Sequence, residues 1–175
     1  MCDIIIQDSA LIEATLSDLH NNTVSNFDTP RQTTAGRVQV TEKIFNAMPR
    51  NSIVGVTAKT RSSAKEYVTR MLFSNIEYVE EEGVDTSTFT SADGTDYVVG
   101  AMGYRDNDVK VGCNCLDFYY RFAVWNSKEG SLLGSVPPPY VKKTDSEPAN
   151  PNQVSGMCKH LIALTDELKR ERFLK

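Results

Sequence analysis

The sequence predicts an α+β fold, in which an antiparallel β-meander or hairpin leads into a C-terminal helix and short helices lie near the N-terminus. Asp93-Gly94 is a turn signal of the kind that joins antiparallel strands. Apolar residues at Leu161, Leu164 and Leu168 have helical spacing. Hydrophobic residues make up 40% and charged residues 24% of the 175-residue chain, which is typical of a folded globular protein.

The first third of the chain contains two predicted helices. Apolar spacing without Gly or Pro predicts a helix over residues 7–20, ending at Asn21-Asn22. The polar stretch 21–36 is predicted to be a loop. A second short helix is predicted from Thr41 to Met48, because Thr41 can cap its start and Pro49 follows its end.

The middle of the chain contains the predicted strands. Ile53–Thr57 has the composition of a strand, and residues 65–79 fit a helix or a strand, with the strand favoured. Tyr97–Tyr104 and Val109–Val111 are predicted to form a hairpin around a loop at 105–108. This hairpin would lead directly into the cysteine pair described below.

The last third combines an aromatic segment, a loop and the terminal helix. Phe118–Trp125 is predicted to be partly helical or extended, and its aromatic side chains fit a core better than a ligand platform. Asp117 and Arg121 have the i,i+4 spacing of an ion pair on a helix. A loop is expected from Pro137 to about Ser155, and Ser155 is the candidate N-cap of the final helix.

Composition and charge restrict the class of protein. No stretch reaches the ~18 continuous apolar residues of a membrane span, and the first residues lack the pattern of a signal peptide, so synthesis in a reducing cytosol is expected. Residues 1–100 carry 8 basic and 14 acidic side chains, and residues 101–175 carry 11 and 9. The resulting net charges of −6 and +2 make a weak case for nucleic-acid binding.

Cysteine and histidine form two closely spaced pairs. Cys113 and Cys115 form C-x-C, and Cys158 and His160 form C-x-H, whereas Cys2 and His20 lie outside the pattern. Three thiolates and one imidazole are a common ligand set for one tetrahedral structural zinc ion. Disulfides and buried unligated thiols are the alternatives, and both are less favoured in a reducing compartment with this paired spacing. A closed set of four ligands also favours structural over catalytic zinc.

The pattern resembles the SWIM-type zinc module. The resemblance covers residues 109–168 and rests on Cys113–Phe122, on Asn150-Pro151 and on Gly156–Leu161, a combination similar to that of small virion proteins of tailed bacteriophages. It implies that the ligands hold a ββα unit. The 42 residues between Cys115 and Cys158 are more than such modules usually have, so 116–157 is interpreted as an insertion. The expected organisation is an N-terminal α+β region of unknown type at 1–100, continuous with the core, and a SWIM-like region at 101–175.

The resemblance also implies a function and partners. We expect a structural protein of the virion, made in the host cytoplasm and located in the neck, connector or baseplate. Its partners would be other phage structural proteins, in a symmetric ring that includes homo-oligomeric contacts, without membrane association. The alternative is a nucleic-acid-binding or adaptor module, favoured by the basic residues of the tail but weakened by Asp166, Glu167 and Glu171 among them.

No enzyme is expected. The sequence contains no phosphate-binding loop, nucleophile elbow or metalloprotease helix. The three consecutive carboxylates at Glu80–Glu82 are interpreted as a solvated surface.

Overall fold

The computed structural model describes residues 14–27, 35–138, 145 and 147–175, and it confirms the α+β fold. In chain order the elements are α1 Leu16–Asn26, β1 Gln39–Met48, β2 Ile53–Ser62, β3 Lys65–Phe73, β4 Tyr78–Val79, β5 Ser87–Thr90, β6 Asp96–Val99, β7 Val109–Cys113, α2, and α3 Lys159–Arg170. Helix α2 consists of three consecutive segments, Leu116–Phe118, a π-type turn Tyr119–Ala123, and Val124–Lys128. None of the helices in the described ranges is long and apolar enough to cross a membrane.

Two antiparallel sheets form the framework. The larger has the strand order β1-β2-β3-β7, and the smaller has the order β4-β6-β5. A parallel bridge between Phe45 and Ser91 joins the smaller sheet to the free edge of β1. The Tyr78 hydroxyl strengthens this junction, because it donates to the Ile53 carbonyl at 2.6 Å and accepts from the Met48 amide at 3.1 Å. The smaller sheet therefore lies at the β1 edge of the larger one.

Helix α3 covers the inner face of the larger sheet. Strand β2 alternates buried and less buried residues, with Val54, Val56 and Ala58 pointing inward. Leu161 and Leu164 of α3 are completely buried against this face, since α3 packs on all four strands. At the C-terminal end of α3, the Lys43 ammonium forms ion pairs with Glu167 and Glu171. The core thus lies between α3 and the sheet.

The predicted helix Thr41–Met48 is wrong: these residues belong to strand β1. Lys43, Phe45 and Ala47 are partly buried, whereas the alternate residues Glu42, Ile44 and Asn46 are exposed, which is the period-2 pattern of a strand. Nine residue pairs with β2 stabilise this arrangement, so tertiary pairing overrides the local capping signals. Pro49 begins a short 3₁₀ turn instead of following a helix.

Helix α1 extends beyond its predicted end. It begins after a capping box between Thr15 and Asp18 and continues to Asn26, so the predicted stop at Asn21-Asn22 is wrong. The Asn26 side chain donates to the Asn22 carbonyl at 2.8 Å, and this bond offsets the low helix propensity of asparagine. The predictions for residues 7–13 and 28–34 lie outside the described residues.

The predicted hairpin has the wrong partner. Tyr97–Val99 belongs to β6 in the smaller sheet. Strand β7 instead pairs with β3, with Cys113 opposite Thr69. Burial of Val109 and Val111 under α3 favours the larger sheet, and this long-range constraint has no local sequence signal. The strand that leads into the cysteine pair therefore belongs to the β3–β7 ladder, which is not a hairpin because the three strands of the smaller sheet lie between β3 and β7 in the chain.

The remaining local predictions are largely confirmed. The strand at Ile53–Thr57 and the strand preference for 65–79 are confirmed by β2, β3 and β4. Gly94 has a φ of 84°, as a turn at Asp93-Gly94 requires. The terminal helix is also confirmed, although its N-cap is Cys158 instead of Ser155.

We expect Gly112→Ala to destabilise the protein by roughly 1–3 kcal/mol, because an added methyl group at a position without room for it forces the backbone to move. A Cβ at this position would collide with the carbonyl oxygen of Leu133. Gly55→Ala is the matched control in β2, where the added atom would find ordinary contacts at 3.6 Å or more. Urea unfolding of both variants measures the difference, and equal stabilities would contradict the packing argument.

Candidate metal centre

Four side chains converge where β7, α2 and α3 meet. Cys113 is the last residue of β7, Cys115 is the N-cap of α2, Cys158 is the N-cap of α3, and His160 lies in the first turn of α3. Their ligand atoms all lie within 4.8 Å of one another. The four residues predicted from the sequence therefore form one cluster.

Two hydrogen bonds between Asn114 and the Val68 backbone of β3 position the first pair of cysteines. The Asn114 amide donates to the Val68 carbonyl at 3.2 Å, and the Val68 amide donates to Asn114 Oδ1 at 2.9 Å. These bonds hold the chain against β3 after the regular ladder ends at Cys113. The residue between the two cysteines thus fixes the bend that turns both sulfurs toward α3.

Buried hydrogen bonds position the second pair. Thr23 Oγ1 accepts from the Met157 amide at 2.8 Å. Asn126 Oδ1 accepts from the Gly156 amide at 2.8 Å, and Asn126 Nδ2 donates to the Gly156 carbonyl at 3.1 Å. The segment before Cys158 is therefore attached to both α1 and α2, which fixes where α3 begins.

The donor atoms have the spacing of a tetrahedral site. His160 Nδ1 lies 3.9 Å from Cys113 Sγ and 3.9 Å from Cys158 Sγ. Zinc bonds of about 2.3 Å to sulfur and about 2.0 to 2.1 Å to nitrogen place the corners of a tetrahedron roughly 3.5 to 3.8 Å apart. Small side-chain adjustments would bring this cluster to that geometry, so the residues present fit a zinc ion.

The three thiols do not titrate alike. Hydrogen bonds from Cys113 and Cys158, and from the Phe118 amide at 3.3 Å, lower the pKa of Cys115. The hydrogen bond with Cys115 raises the pKa of Cys113 to about 12, and burial raises the pKa of Cys158. The three sulfurs therefore interact directly with one another, as the donors of a single site do.

The imidazole is enclosed and presents one nitrogen to the sulfurs. His160 is 2% exposed, and its ring packs on Tyr67 with ring centroids 4.3 Å apart. Within the described part of the chain, Nε2 is buried without a hydrogen-bond partner. The nitrogen that faces the sulfurs of Cys113 and Cys158 is Nδ1, so this is the atom available as a ligand.

The cluster is closed to solvent. Cys115 and Cys158 are 3% and 0% exposed, and only Cys113 is intermediate. The three cysteines carry no disulfide, which leaves all their sulfurs available as ligands. Among the described residues, no other group of three or more Cys, His, Asp or Glu side chains is arranged to hold a metal ion.

The other residues noted in the sequence lie elsewhere. His20 is on α1 beside Tyr104, with ring centroids 6.3 Å apart, and Cys2 is outside the described residues. The predicted ion pair is confirmed, since Arg121 Nε lies 2.9 Å from Asp117 Oδ1. Phe118 and Phe122 are buried, as expected for core aromatic residues, but Tyr119 and Tyr120 are exposed.

Sequence reasoning missed the side-chain contacts that support the ligands, namely those of Thr23, Asn126, Tyr67 and Asn114. Tyr67 covers the imidazole from β3, and the Asn114 side chain anchors the bend between the cysteines. The asparagine within C-x-C could have been recognised as a residue whose side chain bonds to nearby backbone. Tyr67 had no local signal, because its contact depends on how α3 crosses the sheet.

Comparisons with protein-family models, with curated proteins and with solved structures found no match to this chain.

We expect Asn114→Ala to weaken metal binding about 10- to 100-fold, as loss of a residue that orients ligands typically does. The variant loses the side-chain bond to the Val68 amide, so the two sulfurs are held less firmly. Asn152→Ala is the control, because Asn152 bonds to Asn26 at an exposed site. Competition with a chromophoric chelator measures both affinities, and equal affinities would contradict the positioning role.

Proposed function

We propose that the protein binds one structural zinc ion through Cys113, Cys115, Cys158 and His160. The closed convergence of four donors from two distant segments carries this proposal. Thiolate and imidazole donors in tetrahedral arrangement select zinc over hard cations such as magnesium or calcium, which require oxygen ligands. Three thiolates and one Zn²⁺ carry a net charge of about −1, which the N-termini of α2 and α3 help to stabilise.

The role proposed for this ion is structural, not catalytic. Catalytic zinc usually keeps a position for water or substrate, whereas here four protein donors complete the coordination. The imidazole lies under Tyr67, and two of the sulfurs are almost fully buried. Bound zinc would therefore fasten the end of β7 and the start of α2 to the start of α3.

We further propose that the chain is a structural component of a tailed-phage virion, in the neck, connector or baseplate. The support is the resemblance of its C-x-C and C-x-H pairs, with their flanking residues, to the SWIM-type modules of small virion proteins. A metal clip suits this role, because it holds the exposed Leu116, Tyr119 and Tyr120 of α2 in a fixed orientation. Such exposed apolar residues are suited to contacts with neighbouring proteins.

The nucleic-acid alternative gains no support from the C-terminal cations. The Lys169 ammonium lies 3.1 Å from the centre of the Tyr104 ring, and Arg170 pairs with Glu167. Lys175 pairs with Asp85 at 3.1 Å. Three of the five cations in residues 159–175 thus contact groups within the chain, which leaves less positive charge for phosphate contacts.

Cys158→Ser is expected to abolish zinc binding and to lower the melting temperature strongly, because the binding energy of structural zinc is folding energy, of order 10 kcal/mol in small fingers. Cys2→Ser, which removes the one cysteine outside the C-x-C and C-x-H pairs of the sequence, should retain one zinc per chain. Elemental analysis and native mass spectrometry give the metal content, and calorimetry gives the melting temperature. A wild type that carries another metal or none, or a Cys158 variant that keeps its zinc, would contradict the site.

The virion assignment predicts that the chain co-purifies with mature particles of the virus that encodes it, in a fixed number of copies. Density-gradient purification followed by quantitative mass spectrometry measures this number. A nonsense mutation in its reading frame should yield particles defective in assembly or attachment. Absence of the chain from purified particles would overturn the virion proposal without affecting the zinc site.

A further inference from the structure

An ordered acidic loop presents one valine to the solvent. The loop comprises residues 80–85 and contains four carboxylates, at Glu80, Glu81, Glu82 and Asp85. Val84 is 98% exposed. The loop is nevertheless held in place, since Lys175 Nζ donates to the Val84 carbonyl at 3.2 Å and pairs with Asp85 at 3.1 Å. These contacts restrain the loop before binding, which lowers the entropic cost of docking.

A pocket of complementary character lies at the other end of the larger sheet. It has a volume of about 270 Å³ and lies among the outer face of β3 and β7, helix α2 and the segment 132–137. Val68, Leu132 and Leu133 supply apolar lining, and Arg70 contributes its charged group. The pocket can therefore accept an aliphatic side chain flanked by carboxylates.

One cation, Arg70, lines this pocket, and a second, Lys110, lies beyond its lining on the same outer face of the sheet. Arg70 and Lys110 lie on the outer face, opposite Gly112 and Leu72 respectively in the β3–β7 ladder. Neither forms an ion pair with another residue in the described ranges. Carboxylates arriving beside the pocket would find two uncompensated positive charges, the complementarity that directs specific association.

The loop and the pocket cannot meet within one molecule. The loop follows β4 in the smaller sheet, which joins the larger sheet at the β1 edge. The pocket borders β7, the opposite edge of the same sheet. Two different surfaces that bind each other on successive copies form a head-to-tail contact, which generates a ring or an open filament.

We propose that the acidic loop of one copy docks into the β7 pocket of the next, with Val84 in the pocket and the carboxylates beside Arg70 and Lys110. This inference deepens the proposed structural function, on which it rests, by naming a second copy of the chain as the partner. The contact is small and part of its strength is ionic, so association of the isolated protein is weak and decreases with salt. Successive contacts in a closed ring reinforce one another.

Sedimentation velocity of the zinc-loaded protein, up to millimolar concentration, tests the association directly. We expect concentration-dependent oligomers that dissociate at high salt. Val84→Asp should weaken the association at least tenfold, whereas Val24→Asp, at a 40% exposed position on α1, should not. A wild type that stays monomeric throughout this range, or equal effects of the two variants, would overturn the proposal.

Charge reversal tests the orientation of the contact. Arg70→Glu alone and Glu82→Arg alone should each weaken association, and an equimolar mixture of the two variants should restore one contact between unlike copies. Arg50→Glu, in the turn between β1 and β2, is the control that should leave association unchanged.

A photocrosslinker at position 84 locates the contact. Mass spectrometry of mixed isotope-labelled copies should find intermolecular crosslinks to residues 132–137, and crosslinks elsewhere would overturn the proposed geometry. Metal content is measured on every sample. Loss of the contact with zinc retained therefore separates failure of this inference from failure of the zinc site, and particle composition tests the virion assignment independently.

Discussion

The burial of three thiols and an imidazole at one point is the constraint on which the arrangement of β7, α2 and α3 depends. Polar groups removed from water must find partners, and apart from the Phe118 amide that donates to Cys115, these four face one another across a site that could hold a metal ion. The start of α3 must therefore lie against the end of β7. This requirement fixes one end of the helix that covers the sheet, and with it the packing of the core beneath.

The other end of α3 is held by different forces. Lys43 pairs with Glu167 and Glu171, and Phe173 packs against Phe45 and Phe89 with ring centroids 4.8 and 5.8 Å apart. These contacts involve β1 and the smaller sheet and contain no metal ligand. A chain of this length buries enough surface to fold around a core of its own. The part of the structure that contains the cysteine and histidine cluster and the part that does not thus meet within a single helix.

The difference between local and long-range constraints explains what the sequence could predict. The ligand set was predictable because C-x-C and C-x-H are local patterns, and so was the amphipathic helix that follows Cys158. The pairing of β7 was not, because its choice of β3 depends on burial of Val109 and Val111 beneath α3. Thr41 illustrates the same point: it resembles a helix cap, but its hydroxyl donates to the Lys59 carbonyl across the β1–β2 ladder. Local signals were outweighed wherever a distant strand supplied the partner.

The metal centre and the proposed docking pocket share part of their structure. Cys113, Asn114 and Phe118 line the pocket and also form the bend that carries the first ligand pair. The opposite wall, formed by residues 132–137, is held to β7 by two backbone hydrogen bonds. The Val111 amide donates to the Ser131 carbonyl, and the Leu133 amide donates to the Val111 carbonyl. A pocket with walls on both sides of β7 keeps its shape only while the bend after β7 is fixed. If both proposals hold, zinc binding and the association of copies would be coupled, because an ion that orders the bend would also order one wall of the surface that receives the neighbouring copy.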